Sequence, residues 1–74
     1  MNRERRKKIK NIIKTLSSCQ TDLEFVKDDE DEARENTPEN LQNSDSYAES
    51  ETSSDTLSDA ITDIEGVIEN LKKI

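Results

Sequence analysis

The sequence predicts an all-α fold: an antiparallel two-helix hairpin, coiled-coil-like, associating into a four-helix-bundle homodimer or higher oligomer. Three observations lead there. Apolar residues recur in steps of three and four on both sides of one interruption. The interruption holds the only proline, Pro38, near the midpoint of the 74 residues. Leu, Ile, Val and Phe together number 15 of 74, which is too few to close a core around one chain. Burying an aliphatic side chain contributes about 1.5–3 kcal/mol, while ordering each residue costs about 1–2 kcal/mol of backbone entropy. Chains of this size ordinarily lean on a disulfide, a metal or a partner subunit. With one cysteine and no histidine, neither an intrachain disulfide nor a zinc site can be built. Association remains, so folding is expected to wait on assembly, as a homodimer, with a tetramer as the alternative.

The first arm is expected over about residues 3–35, where neither glycine nor proline occurs. Its apolar residues are Ile9, Ile12, Leu16, Cys19, Leu23 and Val26. As heptads these make Ile9, Leu16 and Leu23 a positions, and Ile12, Cys19 and Val26 d positions, with Ile13 widening the stripe. The run "DDEDE" at 28–32 places like charges near a helix C-terminus, where the dipole disfavours them. Fraying is expected there.

The hinge is expected over about 36–45. Asn36 or Thr37 ends the first helix, Pro38 disfavours helix in the residue before it, and "PENL" makes one new turn. The second arm is expected over about 46–73, with Leu57, Ile61, Ile64, Ile68 and Leu71 as its row. Ala60, Val67 and Ile74 lie beside that row. Ser44 or Ser46 caps this helix, and Ser46 with Glu49 fits the S-x-x-E box. The segment "SETSSDT" at 50–56 is poor helix material, so the firm part starts near Leu57.

The net charge of −7 hides a division. Residues 1–14 carry seven basic groups and one acid, for +6; residues 15–74 carry four basic groups and 17 acids, for −13. Folding back brings Arg3–Lys14 alongside 65–74, where Glu65 and Glu69 lie. The basic start is not a secretory signal, because Lys10 and Lys14 break the apolar stretch that follows. No segment reaches the length of a membrane span, and a cytoplasmic location without membrane association is the expectation.

Glu51, Asp55, Asp59 and Asp63 recur every four residues, so a helix aligns them on one side. Like charges at this spacing cost a helix about 0.2–0.5 kcal/mol per pair. The row reads as a docking surface for a basic partner, or as a solvated face that keeps a small oligomer in solution. Arg3, Lys7, Lys10 and Lys14 share another helical side and suggest a basic-zipper DNA reader. The asparagine-alanine-alanine core of that family is missing and the acidic remainder repels phosphate, so DNA binding is the weaker reading. A calcium loop starting at Asp28 would need glycine where Ala33 stands. Cys19 is expected as a small buried apolar residue, and Phe25 as core near the hinge or as an anchor for a partner. Tyr47 falls on the Leu57 row. No nucleophile has a base beside it in the sequence, and no glycine-rich phosphate loop occurs, so neither catalysis nor a cofactor is expected.

The basic "RERRKKIKNIIK" start, the central "PENLQNS" followed by a tyrosine and acids, and the acidic second half together resemble a group of short bacteriophage proteins. Pro38-Glu39-Asn40-Leu41-Gln42 and Ser44 carry the resemblance most specifically. It implies a helical hairpin of phage or prophage origin, made in a bacterial cytoplasm. Small acidic phage proteins often bind and block a host protein, immune nucleases among them. The expected function is therefore a non-enzymatic interaction module that inhibits a host defence or nucleic-acid-handling protein. The alternatives are a self-associating assembly protein and a weak nucleic-acid binder.

Overall fold

A computed structural model describes residues 1–74. Helix α1 spans Arg3–Glu35, a single 3-10 turn covers Glu39–Leu41, and helix α2 spans Asp45–Lys72; there are no strands. The two helices pack along their length as an antiparallel hairpin about 60 × 14 × 12 Å.

Each helix end has a local cause. Asn2 is extended, and its side-chain oxygen accepts from the Arg5 N–H at 2.9 Å, satisfying one of the free donors of the first turn. Helix α1 closes at Asn36, whose N–H donates to the Glu32 carbonyl, while Thr37 donates its N–H to the Arg34 carbonyl and its hydroxyl to the Ala33 carbonyl. Pro38 follows in an extended conformation, and its carbonyl accepts from the Leu41 N–H at 2.9 Å. Gln42 ties the corner by donating to the Thr37 carbonyl. Of the two cap candidates, Ser44 takes the role: its hydroxyl accepts from the Tyr47 N–H.

Helix α2 runs straight through "SETSSDT". Thr52 folds its hydroxyl back onto the Ala48 carbonyl of its own helix, and Ser50 and Ser54 turn inward to meet α1. Their polar groups are thus satisfied without leaving the helix. The expected fraying at 28–32 is also absent. Asp31 forms ion pairs with Lys27 one turn before it and Arg34 one turn after it, so part of the charge run is neutralised within the helix.

The seam between the arms has a different phase from the one expected. Ile9, Leu16 and Leu23 face α2, but the positions alternating with them are Ile13, Gln20, Lys27 and Arg34. Ile12, Cys19 and Val26 stand one residue before those positions and are exposed. A helix advances 100° per residue, so this step carries them out of the seam onto its flank. On α2 the inward row is Tyr47, Ser50, Ser54, Leu57, Ile61, Ile64, Ile68 and Leu71. Phe25 lies on the outer side of α1 and is 64% exposed, which corrects its expected place in the core. Only Ile68, at 3% exposure, and Ser54, at 4%, are buried.

Two substitutions test this packing. Gly66 lies inside α2, and a Cβ there would meet nothing within 4 Å. Gly66→Ala should therefore stabilise the protein by about 1 kcal/mol through helix propensity, seen as a higher urea midpoint. Ile68→Ala should cost about 2–5 kcal/mol, enough to abolish the helical circular dichroism signal at 25 °C in so small a protein.

Candidate interaction surfaces

At the hinge end the seam is polar. Asp31 accepts three hydrogen bonds: from Lys27 Nζ at 2.7 Å, from Ser54 Oγ at 2.6 Å and from Arg34 Nη2 at 2.8 Å. Arg34 reaches across with its other nitrogen, donating to Ser54 Oγ at 2.8 Å and to the Ser50 hydroxyl and carbonyl at 3.2 Å. The bonds from Lys27, Ser54 and Arg34, in that order, hold the Asp31 carboxyl well below the usual carboxylate range. The bond to Asp31 likewise pushes Lys27 and Arg34 upward. Further toward the open end, Gln20 Nε2 donates to Glu65 Oε2 at 2.8 Å and to the Ile61 carbonyl at 3.4 Å. These groups fix which turn of α1 faces which turn of α2.

Sequence reasoning missed this cluster. Its signal was the spacing of Lys27, Asp31 and Arg34 at i,i+4 and i,i+3, together with Ser54 standing seven residues before Ile61.

The outer surface is dominated by charge. Glu51, Asp55, Asp59 and Asp63 are all exposed, and none of them forms an ion pair. Each step of four residues turns the helix by 40° beyond a full circle, so the row winds diagonally over the outside of α2. The three ion pairs of the chain, Lys27–Asp31, Arg34–Asp31 and Lys72–Glu69, all lie within one helix. The basic start therefore sits beside the end of α2 without ion pairs across the seam: Glu65 takes Gln20 and Glu69 takes Lys72. Arg3, Arg6, Lys7 and Lys10 surround a shallow hollow next to Met1. A neighbouring hollow at the open end has an apolar floor of Ile9, Ile13, Leu71 and Ile74, rimmed by Arg6, Lys10 and Lys72.

The oligomer-core residues read from the sequence divide into two sets. Ile9, Leu16, Leu23, Leu57, Ile61, Ile64, Ile68 and Leu71 line the seam within the chain; Ile12, Cys19 and Val26 do not reach it. No group of three or more His, Cys, Asp or Glu side chains is arranged to hold a metal ion, and no helix is long and apolar enough to cross a membrane. Compared with protein-family models, curated proteins and solved structures, the chain matches none.

The hinge cluster has a pH signature. A carboxyl depressed in the folded state contributes its full stabilisation above its unfolded value, about 3.9, and loses it as pH falls through the depressed folded value. Asp31→Asn should lower the urea midpoint at pH 7, by a margin that stays constant down to about pH 5. Below about pH 4 the native and substituted proteins should converge. A margin unchanged at pH 2 would assign the effect to something other than the Asp31 charge.

Proposed function

We propose that the chain is a non-enzymatic protein–protein interaction module that self-associates and presents the acidic outside of α2 to a basic partner. The observation that carries this reading is the row Glu51, Asp55, Asp59 and Asp63. None of the four forms an ion pair; Asp55, Asp59 and Asp63 lie on the surface turned away from the seam, and Glu51 stands on its flank, one residue after the inward Ser50. Their spacing costs helix stability, and charge so arranged raises the rate at which an oppositely charged protein is captured. The resemblance to short phage proteins points to a host bacterial protein as the partner, bound in the cytoplasm and blocked by occupation of a basic site. Factors that handle nucleic acid, including defence nucleases, carry such sites because they must bind phosphate. A second reading, a structural component that mainly assembles with itself, is favoured by the exposed residues Ile12, Val26, Val67 and Ile74.

The triple substitution Asp55→Asn, Asp59→Asn and Asp63→Asn tests the first reading. Removing adjacent like charges should leave helicity equal or higher. A partner captured from bacterial lysate by the native chain should associate about tenfold or more slowly with the substituted one at low salt, and the difference should shrink as salt rises. Equal capture rates at low salt would remove the row from the mechanism.

A further inference from the structure

We propose that two copies pack with their hinges at opposite ends, joined through one apolar flank of the hairpin, to form a four-helix bundle. This rests on the self-association in the reading above and adds the surface and its direction. Ile12, Cys19 and Val26 each stand one residue before an inward position of α1. Ala60 and Val67 do the same before Ile61 and Ile68 of α2. Viewed down the hairpin, one right-handed helix recedes and the other approaches. Residues one step before the seam therefore fall on the same side of both helices. One flank is apolar on both arms. The opposite flank carries Lys10, Ser17, Glu24 and Asp31 from α1, with Glu51, Ser58, Glu65 and Lys72 from α2.

The apolar flank is uncovered within the chain. Ile12, Val26 and Val67 keep between 47% and 53% of their surface exposed. The hairpin exposes 5835 Å², against about 4,700 Å² for a compact chain of 8.5 kDa. The excess of roughly 1,100 Å² exceeds the ~800 Å² that one partner contributes to a standard interface.

Charge selects the occupant and its direction. Residues 1–14 and 65–74, at the open end, sum to +6; residues 15–64, reaching to the hinge, sum to −13. No ion pair joins the arms to offset either end. A covering surface must therefore be acidic beside the open end and basic beside the hinge. A reversed second copy meets both demands, whereas a copy with its hinge at the same end sets like charges together along the whole length.

The spacing agrees. Residue 19 is midway between Arg3 and Glu35, so reversing a copy about Cys19 sets Ile12 opposite the other copy's Val26. Reversing α2 between residues 63 and 64 likewise sets Ala60 opposite the other copy's Val67. Gln20 bonds Ile61 and Glu65, which puts Cys19 and residues 63–64 at about the same level along the rod. One two-fold axis serves both helices.

Sedimentation equilibrium and pulsed dipolar spin-label distances test this. The native chain should show a two-chain mass. Spin labels on Asn40→Cys in a Cys19→Ala background should lie near the 60 Å length of the hairpin. Ile12→Asp should give a one-chain mass and Phe25→Asp, on the outer side, a two-chain mass. A one-chain mass for the native chain at every concentration, folded or unfolded, would overturn self-association and leave the flank to another protein. A two-chain mass with labels about 20 Å apart, two helix diameters, would overturn only the reversed direction. A two-chain mass for Ile12→Asp would remove the flank from the interface.

Discussion

The Asp31 carboxylate is the point on which the register of the hairpin turns. It takes one bond from α2, through Ser54, and two from its own helix, and the Arg34 that it holds reaches over to Ser50 and Ser54. Aliphatic seams tolerate sliding by a heptad because one branched side chain replaces another. A carboxylate with a fixed set of donors does not. The aliphatic half near the open end supplies attraction without much discrimination; the hinge half supplies discrimination without much apolar burial. Pro38 and the Ser44 cap then confine the crossing between the arms to a few residues.

Much of the fold was legible in the sequence. The absence of glycine and proline from residues 1–35, the lone proline and the return of a 3,4 repeat are local signals of two helices and a corner. The phase of the first seam was not legible. Ile9, Ile12, Leu16, Cys19, Leu23 and Val26 form an unbroken apolar 3,4 series, and a hydrophobicity argument must choose it. The helix instead turns to the series completed by Gln20, Lys27 and Arg34: α2 offers Gln20 the Ile61 carbonyl and Glu65 and offers Arg34 Ser50 and Ser54, while Lys27 is held by Asp31 of its own helix. A polar residue at a seam position is invisible until its partner's position is known. The same blindness made "SETSSDT" look like a weak helix start, when two of its serines belong to the hinge network.

The surfaces were read with uneven success for related reasons. The acidic row depends only on spacing along one helix, and the structure leaves it exposed and free of ion pairs. The placements of Cys19 and Phe25 depended on the seam phase, and both moved outward when it shifted. The charge division behaves differently again. Folding back sets Arg3–Lys14 alongside Glu65 and Glu69, yet the geometry keeps every ion pair inside a single helix. The hairpin is left as a rod with unlike ends.

Tyr47 lines a hollow at the hinge together with Arg34, and the chain has no tryptophan. Its ultraviolet emission thus comes from one locality, while far-ultraviolet dichroism averages over both helices. Loosening of the corner ahead of the rest would change the phenol signal before ellipticity falls, and splaying of the opposite end would do the reverse. The protein carries its own optical gauge of which extremity opens first.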